Sequence, residues 1–175
     1  NVIMTYEGDV KVVDFGIAKS NAQNEAGTKS GRLKGKVPYM SPEQARGEEV
    51  DHRSDIFSTG VLLFELKTGR RLFRGASEYD TPKMICESEY PLPTQLNPEY
   101  PRALEHIVMR ALAKNRDQRY SSAREMQADL EAFVHDSRLV VSEMQRGEFM
   151  SDLFAEKLER QKEMLQTGKA LADIL

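Results

Sequence analysis

Apolar positions in this chain recur at two spacings. Val2-Ile3-Met4 and Val10-Lys11-Val12-Val13 are short, largely β-branched runs, and Tyr6-Glu7-Gly8-Asp9 between them is a turn signal. Such runs prefer extended backbone, so a β-hairpin is predicted. From residue 41 onward the spacing is helical. Ser41-Pro42 opens a short helix, with serine as N-cap and proline at the first helical position. Ser54-Asp55 opens the next, with Ser54 as the candidate cap. Ile56, Phe57, Val61, Leu62, Leu63, Phe64 and Leu66 make this segment apolar nearly all round, which predicts a buried central helix ended by Gly69. Residues 82–86 predict a surface helix. Pro91, Pro93, Pro98 and Pro101 then punctuate an extended connection. Leu104, Ile107, Val108, Ala111 and Leu112 repeat at helical spacing over 102–113. Ser121 or Ser122 caps a further helix carrying Met126, Leu130 and Phe133.

Past residue 137 the apolar positions thin out. Val140, Val141, Met144, Phe149, Met150, Leu153, Phe154 and Leu158 lie in a charged background. Helices are expected there, either packed back or offered to a partner. Residues 155–164 place opposite charges at helical spacing. For 159–175 a helix and a partly disordered linker both remain open.

With 175 residues, 39% hydrophobic and 30% charged, the chain is long enough for one domain with a core. The net charge of -3 gives no reason to expect a nucleic-acid partner. Cys86 is the single cysteine, so no internal disulfide forms and a reducing compartment fits. No apolar run has the length of a membrane span, and Asn1-Val2-Ile3 does not begin a signal peptide. A cytoplasmic chain is expected. His106 has no second ligand at metal spacing, so it is structural or solvated.

The chemistry concentrates after the second β-type run. There Asp14, Phe15 and Gly16 follow one another. A carboxylate at a strand end can hold a hard cation such as magnesium, and glycine lets the chain swing. Alone, a surface-turn aspartate explains it as well. Three further stretches follow in order: Gly35-Lys36-Val37-Pro38-Tyr39-Met40-Ser41-Pro42-Glu43, Asp55-Ile56-Phe57-Ser58-Thr59-Gly60, and Asn115-Arg116-Asp117-Gln118-Arg119-Tyr120. Asp-Phe-Gly and an Ala-Pro-Glu-like triplet in this order belong to the protein-kinase motif set. Over residues 1–135 the chain resembles the C-terminal lobe of a eukaryotic-type (Hanks-type) serine/threonine protein kinase. Tyr39-Met40-Ser41-Pro42-Glu43-Gln44-Ala45 gives it a bacterial look.

The resemblance implies a mainly α, kinase-like C-lobe with a small N-terminal β-hairpin and a helical C-terminal extension. Residues 1–136 are expected to form the lobe and 137–175 the extension. Asn1 matches the last residue of the catalytic-loop pattern His-Arg-Asp-x-x-x-x-Asn. The chain then reads as a fragment, with the N-lobe and the general-base aspartate upstream of residue 1 and no catalytic residue of its own. Asn1 and Asp14 are implied ligands of Mg2+ and thereby of the ATP phosphates, with Phe15 and Gly16 setting where Asp14 points. Residues 17–34 correspond to the activation loop. Thr28 and Ser30 are phosphorylation candidates, with Ser20 nearer the start and Lys29, Arg32 and Lys34 nearby; ordinary loop hydroxyls explain them equally.

Lys36, Val37, Pro38 and Tyr39 match the loop that contacts substrate residues next to the acceptor. Lys36 departs from the family's frequent threonine, and a lysine only donates. It either favours acidic or phosphorylated peptides or pairs with a carboxylate inside the lobe. Glu43 is expected in a buried ion pair with Arg119, although Asn115 to Arg119 lacks the family's proline. Asp55 either accepts backbone hydrogen bonds from the catalytic loop or caps its own helix. Phe57 stands where the family often has tryptophan. The implied activity is transfer of the ATP γ-phosphoryl group to serine or threonine hydroxyls of a protein substrate. The implied parent could be membrane-tethered beyond residue 175, and residues 140–175 could receive a partner helix or domain. The alternative is a pseudokinase-type scaffold. Asn1 and the intact Asp-Phe-Gly argue against it, and Lys36 argues mildly for it.

Overall fold

The computed structural model describes residues 2–13, 37–77, 79–140 and 142–172. Its contacts divide the chain into two compact units, one of residues 26–138 and one joining residues 1–25 to 139–175.

The larger unit opens with a 3-10 turn at Val37–Tyr39 and the short helix α1, Pro42–Arg46. The α1 cap is reciprocal. Ser41 Oγ accepts from Gln44 N at 3.3 Å, and Gln44 Oε1 accepts from Ser41 N at 2.9 Å, which satisfies two otherwise orphaned donors. Gly47 ends the helix with φ at 71°. Helix α2, Arg53–Thr68, runs through the centre of the unit. Around it lie α3 (Asp80–Glu87), α4 (Pro93–Leu96), α5 (Arg102–Ala111) and α6 (Ala123–Asp136). Phe57, Val61 and Phe64 of α2 pack with Phe73, Ile85, Val108 and Leu112, all almost fully buried. Ile56 joins Ile107, Ala111, Tyr120 and Met126 in a second cluster. The α2–α5 crossing is close at Gly60. A Cβ on Gly60 would stand 3.0 Å from Ala111 Cβ and 3.1 Å from Leu112 Cγ.

Four expectations change, and one open alternative is decided. Helix α2 begins at Arg53, so Ser54 is inside it rather than capping it. Asp51 Oδ1 takes the Arg53 N–H at 2.8 Å instead, freeing the Ser54 hydroxyl for the contacts described below. Nor is α2 buried all round, since Leu66 is 71% exposed. The helix over 82–86 is not merely superficial, because Ile85 is fully buried. The proline-rich connection contains α4, whose first residue is Pro93, a position where the missing N–H costs nothing. Ser122, not Ser121, caps α6 by accepting from Glu125 N at 3.2 Å.

In the smaller unit, β1 (Val2–Met4) and β2 (Val10–Val12) form an antiparallel hairpin with Val2 opposite Val12 and Met4 opposite Val10. Helices α7 (Glu143–Leu153) and α8 (Ala155–Ala172) complete it. The hairpin turn lies against α7: Arg146 Nε donates to the Gly8 carbonyl at 2.8 Å, and the Tyr6 and Phe154 rings meet edge to face at 5.9 Å. Gly8 adopts φ of 94°, and a Cβ there would reach within 2.2 Å of the Glu143 carbonyl. Among the described residues no helix is long and apolar enough to cross a membrane.

Candidate functional site: a pinned loop and its anchor

Arg119 holds the larger unit together at one point. A 3-10 turn at Arg116–Gln118, capped by the Asn115 side chain on Asp117 N at 3.0 Å, delivers it inward. Its guanidinium meets Glu43 in two parallel bonds, Nη1 to Oε1 at 2.7 Å and Nη2 to Oε2 at 2.8 Å. The remaining donors reach the carbonyls of Ala113 (2.8 Å), Arg53 (3.0 Å) and Lys114 (3.2 Å). All five guanidinium N–H groups are therefore used. The Phe57 ring lies beneath the charge at 5.0 Å. The Ser54 hydroxyl donates to Glu43 and accepts from Ser41. Burial pushes the Glu43 carboxyl up, but bonds from Arg119 and Ser54 outweigh it and hold it at about 2. Both residues are only 3% exposed, so the pair persists as ions because every polar atom is satisfied.

This anchor fixes α1, and with it the turn just before. Val37 is buried. The Tyr39 hydroxyl donates to Glu65 Oε2 at 2.8 Å, and Ser58 Oγ donates to the Tyr39 carbonyl at 2.7 Å. Glu65 Oε1 accepts from Leu72 N at 3.1 Å. Burial, with the hydrogen bond to Glu65, raises the Tyr39 phenol above its ordinary value. Val37 and Pro38 form one side of a groove of ≈ 550 Å3, and the segment after α2 and the start of α3 form the other. Sequence reasoning missed Ser58 and Glu65. Their signal was present: Ser54, Ser58 and Glu65 are polar residues at helical spacing on one face of α2.

Other candidate residues stand apart. Asp55 is exposed in the first turn of α2, and among the described residues its carboxylate has no hydrogen-bond partner. His106 is exposed. Asn1, Asp14, Phe15, Gly16, Thr28, Ser30 and Lys36 lie outside the described residues. The described residues hold no group of three or more His, Cys, Asp or Glu able to bind a metal ion.

A short capped helix bolted by a buried Glu–Arg pair to a mostly helical lobe, with a hairpin ahead of Asp-Phe-Gly in sequence, defines a kinase C-lobe. Residues 1–130 match the family described as the protein kinase domain. The chain belongs to that family and is of the bacterial, Hanks type. It is 39% identical over 157 residues to the tyrosine-protein kinase MasK of Myxococcus xanthus, covering 90% of this chain and 24% of that protein. A probable serine/threonine-protein kinase of Streptomyces coelicolor is 44% identical over 135 residues, covering 75% of this chain and 20% of the relative. The serine/threonine-protein kinase PrkC of Bacillus subtilis is 37% identical over 139 residues, covering 79% and 21%. The chain thus spans about a fifth to a quarter of the length of these curated relatives.

Proposed function

We propose that this chain is the C-lobe part of an ATP- and magnesium-dependent serine/threonine protein kinase, with residues 1–136 in the kinase domain and 137–175 as a helical extension. The observation that carries the reading is the Glu43–Arg119 anchor. It joins two motifs far apart in sequence and immobilises the turn at Val37–Tyr39. Catalysis of phosphoryl transfer is mostly positioning and electrostatics, so a substrate-contacting loop must be held still. Lys36, Val37, Pro38 and Tyr39 are assigned to that contact, with Tyr39 braced by Glu65 and Ser58.

Asn1 and Asp14 are assigned as oxygen ligands for magnesium, which when bound neutralises charge on the nucleotide phosphates. In sequence, Asn1 precedes β1 directly, and Asp14 follows Val13, the residue after β2. Phe15 and Gly16 are assigned to orienting Asp14, Asp55 to holding the catalytic loop, and Thr28 and Ser30 to accepting phosphate. A cytoplasmic site of action and a protein substrate complete the proposal.

The sequence contains no His-Arg-Asp, so the isolated 175-residue chain should transfer no phosphate above a no-enzyme control. The test is the coding sequence upstream of Asn1. His-Arg-Asp, with four residues between its aspartate and Asn1, and a glycine-rich loop farther back support the proposal. A replaced aspartate or unrelated sequence overturns it in favour of a non-catalytic binding fold.

A further inference from the structure

The arginines that follow α2 have no part in the anchor. Arg70, Arg71 and Arg74 are all exposed. Among the described residues none of them forms an ion pair with a carboxylate. Arg71 and Arg74 stand on the groove described above, beside an apolar surface from Val37, Pro38 and Phe73. Phe73 is 2% exposed and Val37 8%, so this surface belongs to the core and does not yield.

The wall opposite is equally fixed. The Gly75 N–H donates to Thr81 Oγ1 at 3.2 Å. A Cβ on Gly75 would come within 2.6 Å of Thr81 N, so the loop lies directly on the start of α3. Arg71 is carried over the Tyr39 ring at 5.7 Å. Among the described residues, the neighbouring acids are engaged elsewhere. Glu65 accepts from Tyr39 and Leu72, and Asp80 accepts from the backbone and hydroxyl of Ser77 at 2.9 and 2.7 Å. Among the described residues, two guanidinium forks without a carboxylate partner thus stand along a partly apolar groove. A guanidinium presents planar donors that match a carboxylate in two parallel bonds.

We propose that this groove selects protein substrates with acidic residues beside the acceptor hydroxyl. An extended substrate segment lies along the groove against Pro38, with the buried Val37 and Phe73 behind it, and its Asp or Glu side chains are taken by Arg71 and Arg74. Arg70 adds to the positive field at approach. The proposal rests on the reading of residues 36–39 as the substrate-contacting loop, and it names the substrate class of that site.

The test is fluorescence anisotropy of labelled peptides of about ten residues with the 175-residue chain, at about 50 and about 300 mM NaCl. One peptide carries several glutamates flanking a serine; the other has glutamine in their place. The Glu peptide should bind about tenfold more tightly at low salt, the equivalent of one well-formed charge-assisted contact, and less so at high salt. The pair Arg71→Gln and Arg74→Gln together should abolish the difference, and the pair Arg71→Lys and Arg74→Lys should keep part of it. Arg102→Gln, an exposed arginine of α5, should leave it intact. Equal binding of the two peptides by the unaltered chain overturns the proposal, as does an equal loss in Arg102→Gln. A phosphoserine peptide bound about tenfold tighter than the Glu peptide also overturns it, in favour of a phosphorylated partner. Binding needs neither ATP nor magnesium. Absent selectivity with intact phosphoryl transfer by the protein carrying this chain counts against the groove alone. Arginine-dependent selectivity without any transfer counts against the kinase reading alone.

Discussion

Replacing Glu43 by methionine should unfold the larger unit more readily than any other single polar change in it. The substitution leaves the Arg119 guanidinium buried with three carbonyl acceptors and no counter-charge. Removing one partner of a buried pair costs about 3–5 kcal/mol. The proton affinity of Glu43 gives a second route to the magnitude. Its fall from 4.5 to about 2 corresponds to about 3 kcal/mol, at about 1.4 kcal/mol per tenfold change. The sign follows from the direction. The carboxyl is more acidic in the folded state, so its stabilisation is complete above the ordinary value of 4.5 and disappears as pH falls toward 2. The chain has no tryptophan, so urea unfolding is best followed by far-ultraviolet circular dichroism. With a slope of about 2 kcal/mol per molar urea, the midpoint should fall by about 1.5 M or more. Arg119→Met should cost a similar amount. The double variant, which leaves no orphaned charge, should cost at least about 2 kcal/mol less than the sum of the two. Single changes costing under about 1 kcal/mol, or costs that simply add, would refute the reasoning.

Three further outcomes follow from the packing. Gly60→Ala should cost about 1–3 kcal/mol in the same assay, because its methyl meets Ala111 and Leu112 at 3.0–3.2 Å; a neutral or stabilising result would show that α2 and α5 have room to part. Gly8→Ala should release α7 from the hairpin turn, read as faster amide hydrogen exchange over Glu143–Leu153 while α2 stays protected; unchanged exchange would contradict the close approach at 2.2 Å. Burial raises the phenols of Tyr39, Tyr90, Tyr100 and Tyr120, those of Tyr100 and Tyr120 to about 12. Their neutral forms stabilise the fold below the ordinary value of 10.0, and that contribution is lost as pH rises from there, so phenolate absorbance should lag behind pH and then climb steeply with alkaline unfolding. A single smooth titration centred near 10.0 would be inconsistent with buried tyrosines.

Local signals were legible where one element decides its own form. The two β-branched runs around Gly8, the Ser41-Pro42 start, the Ser122 cap and the glycine at Gly69 each act within a few residues. What the sequence hid was set by distant groups. Ser54 looks like a cap, but Asp51 supplies the capping oxygen and Glu43 recruits the serine hydroxyl from another helix. Ile85 looks superficial in a short polar helix, yet it lies fully buried in the cluster around α2. Pro93 reads as a breaker, and it starts α4 because the first helical position needs no N–H. In the site, motif order suggested Glu43 with Arg119, and the fold brings them to 2.7 Å. The bracing of Tyr39 by Glu65 spans 26 residues; the polar face of α2 marks Ser58 and Glu65, but not the residue they brace.

Phosphoryl transfer by the protein that carries this chain, assayed with labelled ATP, magnesium and an acidic serine-containing substrate, tests the central claim most directly. Label is expected on serine or threonine, abolished by Asp14→Asn and unaffected by Arg102→Gln. Label appearing only on tyrosine, persisting undiminished in Asp14→Asn, or absent from the unaltered protein would contradict it.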